Sequence, residues 1–540
     1  MKTTPSRRES NLKELAETEF DVLIVGGGIN GAVSAASLSA RGLKVALIDA
    51  RDFAGFTSQQ SSNLVWGGIK YMESYEFGLV SGLCKSRNEL MRSFPSVVKE
   101  IRFLTTVSKQ FRHHRWVIWA SAWLYWLLGR GYTHRPGLLS AQQIAAEEPV
   151  VDVSNSKGGI EYSDAFLHDN DARFVFNFIR SAMDKGCIAA NYVTSTNAKR
   201  VDGHWQVSAE DNESGLELSI RAKLLINAAG AFVDTHNQMA GVNTKHRHVF
   251  SKGIHLLVPG VTQSNRVLAF FADDGRLFFV IPMGNRSCIG TTDTRVVDPN
   301  VSVSSEDREF VLSNINNCLK LAQPLTRVDV IAERCGVRPL VIKNEDKTDT
   351  DFLQLSRKHI IETDEALSHI SIFGGKLTDC LNIGEEIADE LRTMGFKLTN
   401  DNGKWYGEGD ESQHRNYLDF AIRLGLDQVF AEDTGESVAI RLWRRYGQAA
   451  MAMLESIERD PAMLEPAIEE TGVRRCEIQH LVDREMIVHL QDFVRRRSKI
   501  ELLYNCETLK ASKGLREVCD HLFGDQAEAR WQEYFDNGPH

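Results

Sequence analysis

A chain of 540 residues exceeds what one small hydrophobic core organises, so two or three domains are expected. The composition, 42% hydrophobic and 25% charged, is ordinary for a soluble globular protein. A net charge of -10 argues against broad nucleic-acid binding, and nine dispersed cysteines without a CxxC pair argue against zinc or dithiol redox chemistry and fit reduced thiols in a cytosolic compartment.

Residues 1–19 are polar, have no apolar h-region and read as a mobile arm rather than a secretory signal. Phe20 to Val25 is a short apolar run of strand type. Gly26, Gly28 and Gly31 then form GxGxxG, Ala32 to Ala40 is rich in small helix formers, and Leu43 to Ile48 is a second apolar run closed by Asp49. Strand, glycine turn, helix, strand and acid is the order of a dinucleotide-binding βαβ unit. Gly26 lets the chain turn sharply, Gly28 admits a pyrophosphate to the backbone, and Gly31 lets helix and sheet pack closely. The helix N-terminus offers free N–H groups and a positive dipole end. Asp49 is placed to accept from a ribose and to repel a 2′-phosphate. The unit by itself does not separate FAD from NAD.

A polar loop, TSQQSSN (57–63), follows, and residues 81–150 read mostly helical. Within them WVIWASAWLYWLLG (116–129) is too short to span a bilayer as a helix. Trp116, Trp119, Trp123 and Trp126 fall on one helix face, flanked by Arg112, His113, His114, Arg115 and Arg130. That stripe suits a helix lying in a membrane interface, and equally a core helix or a subunit contact. Residues 191–231 alternate like short strands and end in LLINAAG; residues 249–300 are strand-rich; 305–322 look helical. Two strand-like pieces end in GVRPLV (336–341) and ISIFGGK (370–376), before an amphipathic helix at 377–394. The polar stretch 396–413 reads as a linker, and 414–540 as a helical C-terminal domain. The order is a nucleotide-binding α/β domain, a strand-rich insertion, a return to the first domain over 20–395, and a helical domain.

With these segments placed, the chain resembles the FAD-dependent glycerol-3-phosphate dehydrogenases, within the D-amino-acid-oxidase-like flavoproteins. The motifs, in family order, are VGGGINGA (25–32), DFAGFTSQQSSNLVWGGIKYME (52–73), DNDAR (169–173), INAAGAFVD (226–234), GIHLLVP (253–259), DGRLFFVIP (274–282), IGTTDT (289–294), GVRPLV (336–341) and FGGKLT (373–378). The resemblance implies an α/β fold: an FAD-binding Rossmann-like domain, a β-rich substrate cap and a helical C-terminal domain. It implies FAD as cofactor and no metal. The implied reaction is oxidation of sn-glycerol 3-phosphate to dihydroxyacetone phosphate, with electrons passed to quinone or another acceptor. It leaves room for a homodimer, and for a cytoplasmic protein held peripherally at the inner face of the membrane through 112–130.

For cofactor binding the resemblance points to Gly26, Gly28, Asn30, Gly31 and Asp49, to Thr57, Ser58, Ser61 and Ser62 in the polar loop, and to Gly230, Gly375, Lys376, Leu377 and Thr378. For the substrate side it points to Lys70, Tyr71, His255, Arg338, Arg357 and Lys376. Arg338, between a glycine and a proline in GVRPL, is the leading candidate for holding a substrate phosphate by charge-assisted hydrogen bonds. Three departures stand out. The family's run is close to SSKLIHGGLRYLE, whereas this chain has SSNLVWGGIKYME, so Trp66 replaces a histidine and Lys70 an arginine. Lys70 keeps the charge but loses the bidentate fork. Asp379-Cys380 stands where a Thr-Tyr pair is usual. A tryptophan cannot act as a base, which leaves His255 as the imidazole to test. The departures keep open another small polyol phosphate, hydroxy acid or amine as substrate, and a flavin-bound protein that only binds a partner. DFVRRRSKIEL (492–502) resembles a basic family motif whose mechanism the sequence does not give.

Overall fold

The computed structural model describes residues 6–109, 114–271, 277–345, 358–400, 403–430, 435–469 and 471–537. Its first sheet runs Ile360–Asp364, His369–Phe373, Glu217–Asn227, Glu19–Val25, Val45–Ile48, Ile188–Ala190. From His369–Phe373 onward the pairs are parallel. Parallel strands are covered on both faces, which is why these segments read as unbroken apolar runs. Val22, Leu23 and Ile24 are fully buried. Helices Ile29–Ala40, Asp171–Met183 and Cys380–Thr393 share one core with this sheet.

The N-terminal arm is a correction. Arg7–Glu17 is a helix closed by a Ser6/Glu9 capping box. Leu12 and Leu15, three residues apart and so on one face, are buried against Phe20, Leu23 and Trp205. Asn11 Nδ2 donates to the Ala189 carbonyl at 2.7 Å, and Arg8 pairs with Asp211. Two leucines on a capped turn are enough to dock a segment whose average composition is polar.

A second, mixed sheet runs Thr294–Val296, His246–Pro259, Arg286–Gly290, Leu277–Met283, Val267–Phe271, Val98–Ser108, Ser156–Leu167, Leu64–Val65. Ala332–Lys343 pairs along the other edge of His246–Pro259, and Gly137–Leu139 pairs with Ser156–Leu167. The long strand Val98–Ser108 lies inside the region expected to be mostly helical; its β-branched and aromatic residues, Ile101, Phe103, Thr105, Thr106 and Val107, favour the strand.

The stretch expected to be a linker carries a buried anchor. Trp405 packs over Gly384 so closely that a Cβ there would lie 2.4 Å from the indole, and its Nε1 donates to Glu385 Oε1 at 2.5 Å. The C-terminal helices start at Glu411 and have their own core around Leu442, Leu454, Val494 and Leu515.

Helix Arg115–Leu128 lies outside the second sheet with Ala122 and Tyr125 inward. Its tryptophans form an edge-to-face ladder at centroid spacings of 5.9, 5.9 and 5.4 Å. Trp119, Trp123 and Trp126 are half-buried, while Trp116, Val117, Leu124 and Leu127 are exposed. The solvent-facing stripe is therefore mainly aliphatic. Among the described residues no helix is long and apolar enough to cross a membrane.

Candidate active site

Three neighbouring parallel strands end at one edge of the first sheet. Their exits are Val25 to Gly26, Asn227 to the Gly230 turn, and Phe373 to Gly374. Ligands of open α/β sheets bind outside such carboxyl ends. Gly26 has φ +106°, and a Cβ there would lie 2.4 Å from the Ala228 carbonyl oxygen; a Cβ on Gly31 would lie 1.8 Å from the Gly26 carbonyl oxygen. Any side chain at either position drives strand and helix apart. The Gly27 amide donates to Asp49 Oδ2 at 2.6 Å and the Arg51 amide to Oδ1 at 2.8 Å. Burial pushes the Asp49 carboxyl up to about 6 against the pull of those amides. The Ile29 amide donates to Ser58 Oγ at 3.0 Å. Gly26, Gly28, Asp49, Thr57, Ser58 and Gly230 line a cavity of about 270 Å³.

Thr57 also lines a second cavity of about 310 Å³, walled by Ser61, Ser62, Trp66, Tyr71, His255, Arg338, Gly375, Lys376, Leu377 and Thr378. The antiparallel register Ser251↔Arg338, Gly253↔Gly336, His255↔Arg334 explains its cap side. Alternate residues of a strand share a face, so both strands send their chemistry the same way. Gly253 makes room for the Arg338 guanidinium: a Cβ there would lie 2.3 Å from Nη2. Arg338 Nη2 donates to Thr291 Oγ1 at 3.0 Å, and Nη1 stands 3.6 Å from Asp293 Oδ1. From the other side Lys376 Nζ donates to the Tyr71 hydroxyl at 3.0 Å and lies 4.2 Å from the centre of its ring. Asn30 Nδ2 donates to the Gly374 carbonyl at 2.9 Å, tying the first glycine turn to the FGGK turn. Thr57 Oγ1 donates to the Val337 carbonyl at 2.9 Å, and Thr378 Oγ1 to that of Trp66 at 3.3 Å.

His255 is buried, and neither ring nitrogen has a hydrogen-bond partner among the described residues. Burial, then the Arg334 and Arg338 cations, push its imidazole down to about 3, so the ring is neutral at neutral pH. A buried polar ring facing a cavity without a partner needs explaining, and a ligand supplies the explanation.

The structure does not bring every predicted residue to this cavity. Lys70 is exposed and outside the lining, because the short helical turn Ile69–Met72 points Tyr71 inward and its neighbour out. Arg357 lies outside the described residues. Asp379 is also outside the lining. It accepts from Ser86 Oγ and Asn382 Nδ2 at 2.9 and 2.6 Å and faces His359 Nδ1 at 3.1 Å. Although burial opposes the charged ring, hydrogen bonds to Asp379 and Glu386 raise His359. Trp66 stays in the wall, tilted against Tyr71 and edge-on to Phe279.

For other residues of the site the sequence offers at most a family motif and no role. Asp171, in DNDAR, accepts from the Ser61 amide and hydroxyl at 2.9 and 2.8 Å. Arg334 donates to the Ser61 carbonyl, and to Asn63 Oδ1 at 2.8 Å. The arginines of DFVRRRSKIEL are buried and point at the nucleotide domain: Arg497 forks onto Asp52 at 2.7 and 2.8 Å, and Arg496 Nε donates to Asp52 Oδ2 at 2.6 Å. A run of three arginines read alone resembles a solvated surface; only its repetition in a family motif hinted otherwise.

The glycine cradle, the helix N-terminus behind it, the buried Asn30 Oδ1 without a partner among the described residues and the two cavities that share Thr57 in their linings fit an elongated dinucleotide flavin. Comparison with known proteins agrees. Residues 21–375 match the family described as FAD dependent oxidoreductase, and residues 411–530 match the C-terminal domain of alpha-glycerophosphate oxidase. The chain belongs to this FAD-dependent oxidoreductase family, and its cofactor is FAD. Its relatives include the aerobic glycerol-3-phosphate dehydrogenase of Escherichia coli, 30% identical over 90% of this chain and 95% of that one. The D-erythritol 1-phosphate dehydrogenase of Brucella abortus is 29% identical over the same shares. The solved glycerol-3-phosphate dehydrogenase of Bacillus halodurans, complexed with FAD, superposes with a TM-score of 0.71 at 24% identity, covering 99% of this chain and 97% of that one. This is an FAD-dependent oxidoreductase of the glycerol-3-phosphate dehydrogenase group.

Proposed function

We propose that the protein oxidises sn-glycerol 3-phosphate to dihydroxyacetone phosphate. The observation that carries this reading is one cavity lined by the cationic residues Arg338, Lys358 and Lys376, with the first and last beside the neutral imidazole of His255, whose ring nitrogens have no partner among the described residues. Oxidation of a secondary alcohol removes two electrons and two protons. When bound, FAD supplies the two-electron acceptor. Arg338 and Lys376 hold the phosphate at fixed distance from the carbinol carbon, and this positioning removes much of the barrier. A ring nitrogen of His255 accepts the hydroxyl proton. In the resting site His255 is a weak base because burial first, and then the Arg334 and Arg338 charges, disfavour imidazolium. A phosphate dianion on Arg338 offsets that charge, so base strength rises when substrate is present. Tyr71 orients Lys376 through its hydroxyl.

A second reading rests on Trp66. It brings a large apolar wall where relatives resembled by this chain carry an imidazole, and a longer or differently shaped polyol phosphate, such as an erythritol phosphate, is the alternative substrate. Anaerobic bleaching of the bound flavin by a panel of phosphorylated polyols tests both. Fast bleaching by sn-glycerol 3-phosphate is expected. Bleaching only by erythritol phosphates selects the second reading, and none by any phosphorylated polyol overturns both.

We also infer that electrons leave to a quinone or another acceptor at the inner face of the cytoplasmic membrane. The support is the exposed stripe Trp116, Val117, Leu124 and Leu127, with Arg115 and Arg130 at the two ends of its helix. The helix packs against the turn that carries Tyr71, so this surface adjoins the cavity wall. A homodimer contact is the competing use of the same stripe.

A further inference from the structure

Among the three consecutive buried arginines of the C-terminal domain, Arg495 differs from its neighbours. Arg496 and Arg497 meet Asp52 at hydrogen-bond distance. Arg495 Nε stands 3.9 Å from Glu501 Oε1, beyond hydrogen-bond distance. Its Nη2 instead donates to the Gln59 carbonyl at 2.6 Å and to Gln60 Oε1 at 3.1 Å. Burial and then the Arg334 cation push the Arg495 guanidinium down to about 10. A like-charged pair held in the interior has a reason to exist, and the backbone between the two guanidiniums supplies one. Arg495 takes the Gln59 carbonyl from the C-terminal domain, while Arg334 takes the Ser61 carbonyl from the cap strand.

That backbone is the wall shared by the two cavities, since Thr57 lines both and Gln60 lines the second. Gln60 also presses on the strand that carries Arg338: a Cβ on Gly336 would lie 2.9 Å from Gln60 Cβ. We propose that Arg495 is a positioning residue of the active site, with the C-terminal domain fixing the Thr57–Ser62 wall through it and Arg496 and Arg497 anchoring the contact on Asp52. This assignment rests on the reading that the Arg338 cavity binds the substrate.

The test uses the full-length holoenzyme with Arg495→Gln, the conservative Arg495→Lys, and Arg530→Gln as a control that breaks a different contact across the same seam, the ion pair to Glu213. The readouts are hydrogen exchange of the 57–63 peptide and the split between KM and kcat for sn-glycerol 3-phosphate. Arg495→Gln is expected to speed exchange of that peptide and raise KM, each about tenfold. Arg495→Lys keeps the charge and one donor and is expected to recover part of both; it also carries the test if the glutamine variant does not fold. Arg530→Gln is expected to leave both unchanged. Unchanged exchange and KM in a folded Arg495 variant, or equal changes in Arg530→Gln, overturn the proposal. Arg338→Ala, measured alongside, separates the two failures: an unchanged KM there removes the substrate-site reading itself.

Discussion

The two cavities that meet at Thr57 are made from different materials. The one at Asp49 is framed by backbone: glycine turns, a helix N-terminus and the ends of parallel strands. The one at Arg338 is built from side chains that arrive on several separated segments, among them those around Trp66, His255, Arg338 and Lys376. A backbone site tolerates little substitution at its glycines but is the same wherever the turn recurs. A side-chain site can be retuned one residue at a time.

The largest effect is expected at the backbone site. A Cβ at Gly28 would already lie 3.2 Å from Ser58 Oγ, so Gly28→Val adds branches where the cofactor approaches the chain. The folded variant is expected to lose bound FAD almost completely, read from its visible absorbance; normal flavin content would remove the backbone half of the comparison. At the side-chain site, Lys376→Met removes one charged hydrogen bond, an interaction of about 1.5–3 kcal/mol. The expected loss in kcat/KM is about 10- to 100-fold with the flavin retained.

Outside both cavities, Leu124→Ser with Leu127→Ser should lower partition onto anionic vesicles about tenfold, about 1.4 kcal/mol for the pair, because a helix lying in the interface realises only part of the roughly 1.5–3 kcal/mol that each leucine contributes when fully buried. If partition is unchanged and a dimer dissociates instead, the stripe is a subunit contact. The smallest effect concerns acid. His255 is held at about 3, below its unfolded value, so the folded protein binds fewer protons there. That contribution to stability is present above the unfolded pKa and is lost as pH falls from about 6.5 toward 3. His255→Gln should therefore lose less on acidification, with a Tm drop between about pH 7 and pH 4.5 smaller by roughly 2–4 °C than in the parent.

The same contrast decides what the sequence reveals. GxGxxG, the two flanking apolar runs and Asp49 are local, because a backbone site is written within one βαβ unit. Only motif position points to Arg338 and Lys376. Their chemistry depends on strand register and on a turn from another domain, which no local pattern encodes. Lys70 and Tyr71 are adjacent in sequence, yet a single helical turn sends one into the cavity and the other to solvent. The arm at 7–17 was missed because two leucines do not raise the average apolarity of a polar segment. Arg495, Arg496 and Arg497 are opaque because burial of three cations depends on Asp52, the Gln59 carbonyl and the Gln60 side chain, all more than 400 residues away.

The comparison is tested most directly by Arg338→Ala in the intact chain, with flavin content and the concentration dependence of anaerobic flavin reduction by sn-glycerol 3-phosphate measured on one preparation. Full flavin occupancy with half-saturation raised about 100-fold is expected, because a guanidinium–phosphate contact is charge-assisted and forked. Lost flavin with unchanged half-saturation in the remaining holoenzyme would contradict the division of the site into a backbone half for the cofactor and a side-chain half for the substrate.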